Sequence, residues 1–130
     1  MLAPALTAIA AFNLICTGTL RTGPIGLALP EAGGEPYAIT YRVDLASNLW
    51  CSDACASTEP VVLVTDTEIL LREAHVASGG RTTIVGRLVG IFADTSIDGN
   101  TATLRSGRCE RAPFTGFPIE TASAAVRLLA

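Results

Sequence analysis

The sequence predicts an all-β fold, a single small antiparallel barrel or sandwich of about seven to eight strands held by disulfides. Three observations carry this expectation. Apolar residues recur with a period of two along most of the chain, and Gly, Pro, Asn and Asp punctuate them. The chain of 130 residues contains 4 cysteines, an even set of the kind that forms a disulfide framework in a small exported domain. Helical composition is confined to Thr121–Leu129, where Thr121 or Ser123 supplies a cap and a short C-terminal helix is expected.

The elements follow in order. Phe12, Leu14 and Cys16 alternate with Asn13, Ile15 and Thr17 as a first strand, which Gly18 is expected to end. Residues 22–36 are rich in Gly and Pro and read as a long loop or as an irregular edge strand at 19–28. Tyr37, Ile39, Tyr41, Val43 and Leu45 against Ala38, Thr40, Arg42 and Asp44 give the cleanest strand signal. Ser47-Asn48 turns the chain into a short return strand, Leu49-Trp50-Cys51. Val61–Val64 is an apolar run, and Asp66-Thr67-Glu68 turns it into Ile69–Glu73. Ser78-Gly79-Gly80 is read as a turn, and Gly86 and Gly90 break the β-branched stretch from Thr82 to Phe92 into a tight hairpin. Asp98-Gly99-Asn100 is a hairpin turn into the alternating strand Thr101–Cys109. Residues 12–118 thus form one β domain, preceded by a leader at 1–11 and followed by a tail at 119–130.

The leader, Met1–Ala11, is apolar and small, and Ala8-Ile9-Ala10 supplies a small-x-small cleavage pattern. No basic residue precedes Arg21, so it reads as a trimmed or atypical signal peptide, and the expected location is periplasmic or secreted. Four cysteines allow three connectivities. Cys51 and Cys55 are close enough in sequence for a local bridge, which leaves Cys16 to pair with Cys109 by elimination and requires the first and last strands to meet. Metal is not expected, because a C-x-x-x-C pair with no further soft ligand falls short of the four a structural zinc site uses.

Composition excludes more than it assigns. All nine basic residues are arginine, so Schiff-base chemistry, a phosphate-loop lysine and a serine–lysine dyad have no amine to work with. The single histidine, His75, excludes sites built on several histidines. A net charge of -3 provides no basic footprint for nucleic acid. Charged residues make up 16% against 49% hydrophobic, yet beyond the N-terminal leader no run is long and uncharged enough for a membrane-spanning helix.

Candidate chemistry is sparse. Phe92-Ala93-Asp94-Thr95-Ser96 resembles the Asp-Thr-Gly/Ser loop of retroviral-type aspartic proteases, a likeness that implies two aspartates sharing a proton; Ser96 stands where glycine is usual, and Glu68 does so after Asp66-Thr67. His75 lacks an evident nucleophile, Ser57 and Ser78 being unplaced by sequence alone, and Gly79-Gly80-Arg81-Thr82 lacks the strand-to-helix setting of a phosphate cradle. Tyr37, Tyr41 and Trp50 are placed at a barrel mouth, while Phe114 and Phe117, in a Pro/Gly frame, are expected to plug one end of the sheet. These five aromatics are the expected binding surface, with no catalytic, cofactor or metal residues assigned.

The segments Phe12–Gly18, Tyr41–Leu45, Trp50-Cys51 with Cys55, and Cys109 followed by Ala112–Pro118 resemble a group of small uncharacterised secreted proteins of alphaproteobacteria. That likeness implies an exported β domain and carries no activity with it. Cys16-Thr17-Gly18-Thr19 is also similar to the start of periplasmic C-type lysozyme inhibitors, small barrels in which an early cysteine bonds a late one; their inhibitory Ser-Gly-x-x-Tyr segment has no counterpart after Ser78-Gly79. The expected function is a non-catalytic binding or interaction module of the cell envelope. Its expected partner is a small apolar ligand or an envelope protein, with inhibition of an envelope-directed enzyme as the alternative.

Overall fold

Alternation of apolar and polar residues becomes, in the computed structural model, one curled antiparallel sheet. The structure describes residues 10–26, 29, 34–53, 55, 57–76, 79–87 and 89–117, without the side chains of His75 and Val76. Both the leader at 1–9 and the helix expected at 121–129 lie outside these residues. The strands are β1 (Ala11–Pro24), β2 (Glu35–Asp44), β3 (Leu49–Ser52), β4 (Glu59–Pro60), β5 (Leu63–Val64), β6 (Glu68–Val76), β7 (Gly79–Gly86), β8 (Ile91–Asp98) and β9 (Thr101–Pro113). Nine strands are therefore described where seven to eight were expected. Of the apolar run Val61–Val64 only Leu63 and Val64 form a strand, and residues 19–24 continue β1.

The sheet order is β4-β3-β2-β1-β9-β8-β7-β6-β5. First and last strands lie side by side at its centre, in register from Phe12↔Pro113 to Pro24↔Thr101. Cys16 faces Cys109 directly in that register, and the two are bonded, as are Cys51 and Cys55. Both expected bridges are present, and they fit an oxidising environment. Among the described residues no helix is long and apolar enough to cross a membrane.

The ends of the sheet fall in the middle of the chain, and one stretch joins them. Residues 59–60 pair with β3, and the Val61 amide donates to the Asn48 carbonyl (3.0 Å). The next amide, Val62, donates to Leu70 of β6 (2.9 Å), and residues 63–64 pair with β6. Arg72 of β6 bridges the same seam: its Nη2 is 2.6 Å from Glu59 Oε2, and its guanidinium lies 5.0 Å from the centre of the Trp50 ring. Beyond this seam the ends separate. β2 pairs with β3 only from Tyr41 onward, and β6 pairs with β5 only at Ile69 and Leu70. The result is a half-barrel, joined on one side of the gap and open along residues 35–39 of β2 and 72–76 of β6, rather than a fully closed barrel.

Gly18 does not end the first strand. It pairs with Gly107 of β9, and a Cβ on either glycine would collide with backbone of the other strand, at the Ser106 or the Thr17 carbonyl oxygen. Glycine is needed here for close approach of two strands and not for a turn. Gly79 and Gly80 likewise open β7 instead of turning the chain. The turns at Asn48 (φ 63°) and Gly99 (φ 62°) are where the sequence places them.

The concave face holds the core: Phe12, Leu14, Cys16, Tyr41, Val43, Trp50, Val61, Ile69, Leu71, Val85 and Phe92. On the convex face Asn13 and Arg42 are cross-strand neighbours, and residues 114–117 fold back over them. Asn13 Nδ2 donates to Thr115 Oγ1 (2.9 Å), and Arg42 Nη1 donates to the Gly116 carbonyl (3.1 Å). Phe114 and Phe117 meet edge to face at 5.1 Å and Phe117 is buried. The closing motif therefore seals the outer wall of β1 and β2, and is not a plug over the open end.

Candidate functional site

Strand parity sets which side chains share the concave face. In β8, Phe92, Asp94 and Ser96 are in phase; in β7, Val85, Thr83 and Arg81; in β9, Cys109, Gly107 and Arg105. A bulge leaves Leu71 unpaired in β6, so that Arg72 comes opposite Thr83. Register then aligns one rung across four strands, Arg72–Thr83–Asp94–Arg105. Apolar residues fill the concave face below this rung, and charge is gathered along it.

Asp94 is the centre of that charge. Its side chain is 1% exposed, and Arg81 grips it in a fork, Nε to Oδ1 at 3.0 Å and Nη2 to Oδ2 at 2.8 Å. That hydrogen-bonded carboxylate raises the pKa of Arg81 against the opposing effect of burial. Arg105 approaches the same carboxylate at 3.6 Å, donates to Ser96 Oγ at 3.2 Å and sits 5.8 Å from the centre of the Tyr37 ring. The carboxylate thus meets two guanidiniums, whereas the protease likeness implied a second aspartate. Asp66, the other aspartate in an Asp-Thr pair, is exposed in a bend.

Tyr37, Tyr41 and Trp50 all face this interior, as the strand alternation implied. Tyr41 contacts Trp50 (6.0 Å between centroids) and Phe92 (6.3 Å) edge to face, and Tyr37 stacks on Phe92 at 6.2 Å. Phe114 and Phe117 belong to the outer wall and are not brought to these three. His75 lies in β6 opposite Gly80, Ser57 is exposed in a bend, and Ser78 is outside the described residues.

Three buried polar atoms on the concave face have no hydrogen-bond partner among the described residues: Tyr41 OH, Thr83 Oγ1 and Trp50 Nε1. Burial chiefly raises the Tyr41 pKa, and the nearby Asp94 charge adds to it; the same two causes raise Tyr37. An unfolded tyrosine ionises near pH 10, so this contribution to stability is complete below that pH and is lost as pH climbs past it. Tyr41→Phe is expected to change stability at pH 7 by no more than about 1 kcal/mol, since its hydroxyl makes no protein hydrogen bond to lose. It is also expected to flatten the alkaline decline; urea unfolding at pH 7 and at about pH 10.5 checks both, and an unchanged alkaline slope would contradict the assignment.

Sequence reading missed the association of Arg72, Arg81 and Arg105 with Asp94. The available signal was charged or polar residues in phase with buried apolar ones, Asp94 after Phe92 and Arg81 before Thr83 and Val85. Set against known proteins, the chain matches no protein-family model, no curated protein and no solved structure.

Proposed function

We propose that the protein is a non-catalytic binding module of the periplasm or the cell exterior, and that its site is the concave face beside the open gap between β2 and β6. The observation that carries this reading is the set of buried, unpartnered polar atoms next to the Asp94 cluster. Buried polar groups are nearly always paired, and an unmet one costs about 1–3 kcal/mol, so a ligand offering acceptors and donors there is stabilised by more than contact area. Tyr37 and Phe92 offer the ligand's apolar body a surface.

Native mass spectrometry of protein purified from the periplasm tests location and binding together. The expected result is a processed N-terminus, both disulfides intact, and a co-purifying small molecule that is reduced in the Tyr41→Phe, Thr83→Val double variant. Four free thiols in that sample would overturn the compartment. Ligand retained undiminished by the double variant would overturn the site.

A further inference from the structure

The charges on the concave face do not balance, and the imbalance specifies a ligand. Arg72 is matched by Glu59, and Arg81 by Asp94. Among the described residues Arg105 has only a share in Asp94, which Arg81 already grips. The Arg105 side chain is 19% exposed, its contact with Asp94 is long, and its one hydrogen bond goes to a neutral hydroxyl. A guanidinium carries five donors in a planar fork, and the rest of that fork is unspent. Glu35 and Asp98 share the concave parity but are exposed at strand ends, where water screens them. Arg111 shares that parity too, but it is exposed and lies over the Phe12 ring, away from the rung. Along the rung one positive charge is therefore in surplus in a largely buried setting, where unpaired charge is unfavourable.

The rung supplies the second observation. Thr83 is fully buried, stands between Arg72 and Asp94, and its hydroxyl meets no protein partner. Tyr41, 1% exposed, presents its unpartnered hydroxyl to the same interior. Neutral hydroxyls on the same concave face as a guanidinium with donors to spare suit an oxyanion.

Resting on the binding-module reading above, we propose that the ligand is an organic monocarboxylate. Its carboxylate is held by Arg105, and its apolar body lies against Tyr37 and Phe92. The single surplus charge favours a monoanion: a dianion such as phosphate would bring a second negative charge near Asp94 with no cation left to meet it. Aliphatic and aromatic acids share this chemistry, so lipid-derived and small aromatic acids are both candidates.

The test uses the oxidised full chain, followed by calorimetry and by amide chemical shifts, with benzoate, octanoate, benzamide and inorganic phosphate as probes. Benzoate and benzamide have nearly the same shape and differ in charge. Benzoate or octanoate is expected to bind at least tenfold more tightly than benzamide and to shift the amides of Thr83, Asp94 and Arg105. Arg105→Gln is expected to erase that preference. Tighter octanoate than benzoate identifies a lipid-derived acid, and the reverse order an aromatic one; both support the carboxylate. Equal binding of benzoate and benzamide at these residues would overturn the carboxylate and leave the binding site standing. Phosphate stronger than either acid would overturn the monoanion. Shifts at no concave residue with any probe would remove both proposals. The comparison of probes on the unaltered chain holds even if Arg105→Gln fails to fold.

Discussion

Replacing Cys16 and Cys109 together with alanine is expected to lower stability by about 4–5 kcal/mol, against about 2 kcal/mol for the Cys51, Cys55 pair. The difference comes from the loops they close. The first bridge spans a sequence separation of 93 and the second of 4, and the entropy removed from the unfolded chain grows with the logarithm of loop length. Burial acts in the same direction, because Cys16 is 0% exposed and alanine would leave its sulfur's place unfilled beside Leu14 and Ile39. Urea unfolding of the two double variants, each compared with the unaltered chain, measures both losses. Equal losses would mean that the β1–β9 register is already held in the unfolded ensemble.

Asp94→Asn is expected to destabilise by about 2–4 kcal/mol, below the upper range for breaking a buried ion pair. The discount follows from Arg81, whose side chain is 37% exposed and can turn toward water when its partner is lost. Arg105, at 19%, has less freedom to do so. Adding Arg105→Gln to Asp94→Asn should therefore recover part of the loss, since it removes the more buried of the two uncompensated charges. A double-mutant cycle in urea checks this, and strictly additive losses would show that the two residues do not share a field. Asp94→Asn should also invert the ligand preference, because a site with two surplus charges accommodates a dianion.

Much of this architecture was legible because strands announce themselves by parity. Tyr37 through Leu45 and Thr101 through Cys109 each read correctly as strands, and the pairing of Cys16 with Cys109 correctly required first and last strands to meet. What parity could not show was where the sheet would stop. Val61–Val64 looks like one buried strand, yet Val61 bonds to Asn48 in the turn before β3 while Val62 to Val64 join β6, a consequence of curl that no local pattern encodes. Gly18 was misread for a similar reason. Its meaning lies in Gly107, a residue far along the chain. The site was hidden by the same dependence on register. Arg72, Thr83, Asp94 and Arg105 are unremarkable one by one, and only the bulge at Leu71 and three hairpins bring them into a single rung.

The central position of β1 has a consequence for how the chain is made. β2 can pair with one edge of β1 soon after it is synthesised, but the other edge waits for β9, which ends at Pro113. Until β9 is made the emerging chain carries an open strand edge behind an apolar face, the feature that invites self-association. Cys16 waits as well, and during that interval it meets Cys51 and Cys55 before its own partner exists. Early closure of the short Cys51–Cys55 bridge would keep Cys16 free for Cys109, whereas a Cys16 bridge to either of them would have to be exchanged later.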